Sequence, residues 1–320
     1  MQTWKKFVNE LKNYDYNDDV TKIEKMLDEG DQLNAKLFLN EKLKNKPDNL
    51  EFLFLLGVIL ADEENFEESI ECYDRILSID SHYEEAIYNK SKILAEELFE
   101  YQKALDNLDL FSSKQIQQDD NQQLKAEIFL GLGEFEKCNE ICIKYLKNNP
   151  KDVYFLNILT DSYQEQENYE KAYEINEKVL KILPEDFDTL NLKSGLLNEF
   201  GKYDESLVIS QSVLDRDSEN EWAWIFRGDS LTEKSEYSKA IESYETAISI
   251  NTALDEAWFG LFFAQICIAD IDNGLDSLLI ATALDKENLL RIDIDDIEFK
   301  EIKNNPRFLK ILSKKTEYLN

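Results

Sequence analysis

Residues 221–254 read EWAWIFRGDSLTEKSEYSKAIESYETAISINTAL, and this stretch decides the fold. Ala223, Trp224, Arg227, Gly228 and Leu231 recur at helical spacing and form one face. Ser235 and Glu236 interrupt the pattern. Tyr237, Ala240, Ile241, Tyr244, Ala247 and Ile248 then form a second face, and Asn251-Thr252 closes the unit. The spacing predicts two amphipathic helices joined by a short turn. Small residues at Gly228 and Ala240 predict a close approach of the two helices there. Tyr237 and Tyr244 would supply bulk where helices diverge or meet the next unit.

The same order recurs 34 residues away in both directions. Leu190, Ser194, Tyr203, Ser206, Ser210 and Val213 hold the matching places one step back, and Leu156, Thr160, Tyr169, Ala172, Asn176 and Val179 two steps back. Trp258, Phe262, Ile271, Gly274, Leu278 and Ala281 hold them one step forward. A period of this length is one helical hairpin stacked many times. The hairpins run 16–49, 50–83, 84–118, 119–152, 153–186, 187–220, 221–254 and 255–288. The third has one extra residue, expected in its inner turn near Glu96–Glu100, where solvent tolerates insertions. Pro47, Pro150 and Pro184 mark the ends of their repeats, and Gly30, Gly133 and Gly201 the inner turns.

The expected fold class is therefore all-α, an α–α array of about eight hairpins with a capping helix at each end. Residues 1–15 read as an N-terminal cap, with Thr3 as helix cap and Trp4, Phe7, Val8 and Leu11 on one side. Residues 16–288 form the array and 289–320 a C-terminal cap, in which Asn305-Pro306 opens a helix with Phe308, Leu309 and Leu312 apolar. Scarce glycine (9) and proline (4) in 320 residues disfavour turn-rich β architectures.

Trp224, Gly228, Tyr237, Ala240, Tyr244 and Ala247, with Pro184 in the neighbouring unit, resemble the tetratricopeptide repeat pattern over about residues 16–288. The resemblance implies a right-handed superhelix with a concave groove lined by the first helix of each hairpin, and a scaffold that binds peptides or proteins. One subgroup grips a carboxylate tail through lysine, asparagine and arginine on successive first helices. Here the corresponding places hold Tyr154, Asn157 and Asp161, then Asp188, Asn191 and Gly195, then Trp222, Ile225 and Asp229, with Lys92 the one groove lysine of the better-matched units. That set does not make a basic clamp.

The net charge is −31, and it is uneven. Residues 1–13 carry +2 and residues 300–320 carry +4, which leaves about −37 between them. Such a charge repels phosphates and argues against nucleic acid. Glu165, Glu199 and Glu233 share one repeat position late in the first helix, with Asp62 and Glu96 further up and Gly131 interrupting the row. By family geometry this row looks into the groove, beside Tyr88, Tyr154, Trp222 and Phe259, with Phe263 and Ile266 extending an apolar patch. The candidate binding set is thus Tyr88, Tyr154, Asn157, Asp161, Asn191, Trp222, Asp229, Phe259, Phe263, Glu165, Glu199 and Glu233. Carboxylates would steer a basic segment, and aromatic faces would hold its cations. Acid on helical arrays also suppresses self-association without any ligand.

No glycine-rich phosphate loop, serine elbow or zinc spacing occurs, so neither an enzyme nor a cofactor is expected. Cys138 and Cys142 lie one helical turn apart and read as small packing residues, and His82, the single histidine, as a surface turn residue. No run of about 18 apolar residues exists and the first residues lack a leader pattern, so a cytoplasmic, membrane-free chain is expected. The expected partner is a protein or peptide of basic character. The alternatives are a self-assembling module, with homo-oligomers built on the basic tail, and an acidic chaperone for a basic protein.

Overall fold

The structure is a computed structural model that describes residues 17–111, 119–292 and 299–319. The expected N-terminal helix over residues 3–13 lies outside the described residues. Among the described residues there is no strand. The chain divides into two compact units, Met1–Ser162 and Tyr163–Asn320.

The first unit pairs α1 (Asn17–Asp28) with α2 (Gln32–Asn45), α3 (Leu50–Asp62) with α4 (Phe66–Ile79), α5 (Glu84–Lys92) with α6 (Tyr101–Leu108), and α7 (Asp119–Gly131) with α8 (Phe135–Leu146). The unit boundary falls within α9 (Val153–Glu165). The second unit continues with α10 (Tyr169–Ile182), then pairs α11 (Phe187–Glu199) with α12 (Tyr203–Leu214), α13 (Glu221–Glu233) with α14 (Tyr237–Ile250), and α15 (Asp255–Cys267) with α16 (Ile271–Leu284). A short 3-10 turn (Lys286–Leu289) and α17 (Pro306–Leu319) follow.

Every inner turn has a left-handed residue at the same repeat position: Gly30, Glu64, Phe99, Gly133, Glu167, Gly201, Ser235 and Ala269, with φ from 53° to 76°. Glycine marked only three of them. The others bear the strain because the turn recovers hydrogen bonds from it. In the α13–α14 turn, Glu236 N–H reaches Leu231 O at 2.8 Å and Ser235 N–H reaches Thr232 O at 2.8 Å, which closes the helix end. The third hairpin differs in its closing bond, because the Glu100 N–H reaches Leu94 O, six residues back, at 2.6 Å where the other inner turns reach five. Its extra residue is not in the connection, which is again three residues long. It widens the last turn of the first helix into a π-turn over Ile93–Glu97.

Asn49, Asp152, Asp186 and Asn220 each accept a hydrogen bond from a backbone N–H three residues on, which fixes where first helices begin. Asn220 does more. Its Oδ1 also accepts from Nδ2 of Asn191, 2.9 Å away and only 4% exposed. Asn220→Ala removes both the cap and the partner of a buried amide, and is expected to cost about 2–3 kcal/mol in urea denaturation. A loss under about 0.5 kcal/mol would mean the tie contributes nothing.

In the second unit Tyr244 is 1% exposed, and two glycines make room for its ring. A Cβ at Gly228 would lie 2.6 Å from Tyr244 Cε1, and one at Gly260 would lie 2.5 Å from it. The small residue at 228 therefore admits the tyrosine ring, where a direct approach of two helices was expected. Ala240 is fully buried, as its size requires. Tyr237 is only half-buried, with its hydroxyl 3.4 Å from Ser235 Oγ, so it carries less of the core than its repeat partner Tyr244. Where serines replace alanine and glycine they satisfy one another. Ser206 Oγ donates to Ser194 O at 3.0 Å, and Ser230 Oγ lies 2.9 Å from Ser206 Oγ.

The end of the second unit is closed by its own chain. Asn305 Oδ1 accepts from the Arg307 N–H at 2.8 Å and starts α17. Phe308 and Ile311 enter a core with Phe262, Leu275, Leu278, Phe299 and Ile302. Leu309, expected to be apolar and covered, is 43% exposed, because it lies about 100° around the helix from Phe308.

Candidate functional site: an acidic, aromatic groove in the second unit

The first helices of the second unit bring their carboxylates to one groove of about 880 Å³. Glu165, Glu199 and Glu233, spaced by 34, line it with Asp229, and Phe226, Phe259 and Phe263 supply the apolar wall. Tyr169 and Tyr203, from the starts of second helices, reach toward the same row. The Tyr203 hydroxyl donates to Glu233 Oε2 at 3.1 Å, and that bond pushes the phenol pKa up.

Three aromatic rings stand on rigid support. Phe226 packs over Gly195, where a Cβ would come within 2.9 Å of Phe226 Cε1. Phe259 lies 5.8 Å from Phe262, and Phe263 lies edge-on to Phe299 at 6.2 Å. The glycine at 195 occupies the register position that holds Asp161 and Asp229 in flanking repeats, so an aromatic face replaces a charge there.

Asp229 is the perturbed carboxylate of the groove. Burial raises its carboxyl from an ordinary 3.8 to about 6, and the charges of Glu233 and Glu199 add to this. The Tyr244 hydroxyl, which donates to Asp229 Oδ1 at 2.7 Å, and the charge of Arg291 oppose it. Tyr244 thus crosses from the second helix, between Gly228 and Gly260, to place a donor on the groove side.

Arg291 is the only base among the described residues lining the groove. Its Cζ stands 4.2 Å from the Phe259 ring centroid, and its Nη1 donates to Asn288 Oδ1 at 3.2 Å. Asn288 is 1% exposed and is itself fixed, donating to Asp255 Oδ2 at 2.8 Å.

The first unit holds a second, smaller cluster. The Tyr154 hydroxyl donates to Glu127 Oε1, and burial pushes the Glu127 carboxyl upward. Lys92 Nζ lies 3.6 Å from Glu96, whose carboxyl is also raised by burial. Burial and the charges of Asp120, Glu96 and Glu127 push the Tyr88 phenol up to about 12.

The structure therefore gathers Glu165, Glu199, Asp229, Glu233, Phe259 and Phe263 into one groove, and Tyr88 and Tyr154 into the other cluster. Asn157 and Asp161 are exposed on α9. Trp222 is 37% exposed, with its ring 6.1 Å from Phe226. Asn191 does not face a groove. It is buried by its bond to Asn220, an internal tie between hairpins. Ile225 and Ile266, expected to be open, are 3% and 7% exposed and belong to the core. Glu127 was missed. It stands one helical turn before Gly131 and restores a carboxylate where the row is broken. Tyr169 and Tyr203 carried a signal, since they too are spaced by 34. Arg291 carried none, because it lies beyond the last repeat.

Cys138 and Cys142 are fully buried, and the Cys142 thiol donates to the Cys138 sulfur. His82 is exposed in its turn, with its backbone N–H 3.0 Å from Asp80 Oδ1. Among the described residues there is no group of three or more His, Cys, Asp or Glu placed to hold a metal. No described helix is long and apolar enough to cross a membrane.

Paired helices with a shared turn geometry and a groove on their first helices define a helical repeat protein. A tetratricopeptide repeat family model matches residues 50–83 and 223–253, so the chain carries tetratricopeptide repeats. No curated protein matches it in sequence. Among solved structures, a tetratricopeptide repeat protein from Parabacteroides merdae is 18% identical with a TM-score of 0.64, over 78% of this chain and 98% of that one. Yeast Tom70 is 12% identical with a TM-score of 0.58, over 96% of this chain and 66% of that one. MamA from Desulfovibrio magneticus is 17% identical with a TM-score of 0.44, over 52% of this chain and 94% of that one. At these identities the likeness to the first two is one of fold.

Proposed function

We propose that the chain is a non-enzymatic interaction scaffold whose second-unit groove takes a basic, partly extended segment of a protein. Tetratricopeptide repeats generally mediate protein–protein interaction, and the groove suggests the chemistry of the partner. The observation that carries the reading is the meeting of Glu165, Glu199, Glu233 and Asp229 with the supported rings of Phe226, Phe259 and Phe263 in one cleft. The carboxylates attract a cation over distance, and the rings hold it once it has arrived. Nucleic acid is repelled by the same charge.

The test is binding of a labelled lysine- and arginine-rich peptide by fluorescence anisotropy. Glu199→Lys/Glu233→Lys is expected to weaken it about tenfold at low salt, and less at high salt. Equal binding by wild type and the double variant at low salt would remove the groove from the account. The alternative of self-assembly through a free basic tail has less support. α17 docks on its own unit, where Arg307 pairs with Asp276 and Phe308 is fully buried.

A further inference from the structure

We infer that the face of Phe259 is a subsite for an arginine side chain of the bound segment, and that Arg291 occupies it in the unbound chain as an internal competitor. This rests on the groove reading above and narrows it from a basic segment to a guanidinium at one place.

The subsite has the parts that a planar cation requires. The Phe259 ring offers a π-face, fixed from behind by Phe262 at 5.8 Å. Asn288 Oδ1 offers an acceptor at the edge of the stacked plane, 3.2 Å from Arg291 Nη1, and its amide is locked by Asp255. Asp229 and Glu256 supply negative charge that acts on Arg291. A guanidinium uses the face and the edge acceptor together, whereas an ammonium is a point charge that cannot stack.

Arg291 already satisfies this geometry, yet its hold is weak. It is exposed, and it pairs with no carboxylate within ion-pair distance among the described residues. Among the described residues its ties are one stacked contact and one neutral acceptor. A side chain so held exchanges readily, and an arginine carried by a segment that also meets Glu199 and Glu233 has more to gain from the same face. Arg291 therefore lowers the affinity of the groove for any arginine that seeks Phe259, and it raises selectivity against short or singly charged ligands that cannot displace it.

The experiment uses the full chain and a fluorescein-labelled nona-arginine peptide at low salt. Arg291→Ala and Arg291→Gln are each expected to bind about two- to thirtyfold more tightly than wild type, the range that one cation–π contact spans. Adding Phe259→Leu to either variant is expected to abolish the gain. That arm separates the loss of a competitor from the mere removal of a positive charge, which would raise affinity whatever stands at 259. Circular dichroism of each variant checks that the fold is kept. If wild type binds and both Arg291 variants bind equally or more weakly, the competitor role is overturned while the groove reading stands. A gain that survives Phe259→Leu overturns the subsite. If neither wild type nor the variants bind the peptide, the groove reading falls and this inference falls with it.

Discussion

Replacing Tyr244 with alanine is expected to destabilise the second unit by about 3–5 kcal/mol in urea denaturation, the range for deleting a buried ring that cannot be refilled. The reason lies in two absent side chains. Gly228 on α13 and Gly260 on α15 leave the space that the ring occupies, so three helices lose their common contact when it goes. Collapse around the void is restricted, because the helices that carry the two glycines share one packed core with α14, in which Leu231, Ala240, Ala247 and Leu261 are already buried. Tyr244→Phe separates the ring from its hydroxyl. It keeps the packing, removes the 2.7 Å bond to Asp229, and is expected to cost only about 1–2 kcal/mol. A loss below about 1 kcal/mol for the alanine variant would mean that neighbouring repeats close over the gap, and that Tyr244 is not the wedge between them.

That wedge shows what the sequence could and could not disclose. The helix pairs were legible because two periods agree, 3.6 residues within a helix and 34 between hairpins. The row Glu165, Glu199, Glu233 was legible for the same reason. Tyr244 could be placed in the core, but its reach to Asp229 depends on glycines on two different helices and has no local signature. Asn191 misled because its register position is aromatic in other repeats, at Tyr88 and Phe259. A shared position fixes direction along the helix, whereas burial depends on what the next hairpin presents, here the cap residue Asn220. The π-turn was illegible since one extra residue can enter a turn or a helix with the same sequence cost. It entered the last turn of the helix, where the Leu98 N–H bonds Ile93 O five residues back and the Glu100 N–H bonds Leu94 O six residues back, each one residue further than an α-helix or the other inner turns reach. Arg291 stands outside the repeat and answers to no periodicity. It was found only by the groove it faces.

The affinity of the groove for a basic peptide is expected to fall by up to about tenfold per pH unit as pH drops below 6, because Asp229 must release a proton to receive a cation. In the free chain burial holds the Asp229 carboxyl at about 6, against an ordinary 3.8. Between those values the folded chain keeps a proton that the unfolded chain has lost. Stability from this group is therefore fully present below about 4 and is lost as pH rises through about 6, a change on the order of 3 kcal/mol. At neutral pH the charged Asp229 is a burden on the fold, surrounded by Glu233 and Glu199 and relieved only by the Tyr244 hydroxyl and the field of Arg291. A docked guanidinium or ammonium reverses the balance by favouring the ionised form, so binding in the window draws one proton out of the protein. Asp229→Asn isolates the effect from every other carboxylate of the groove. It is expected to make the chain more stable than wild type at pH 7, to flatten the stability profile between pH 4 and 6, and to weaken peptide binding at pH 7 while removing the steep loss between pH 6 and 5. An affinity profile with the same slope in wild type and Asp229→Asn would assign the proton to another group and separate Asp229 from the binding of cations.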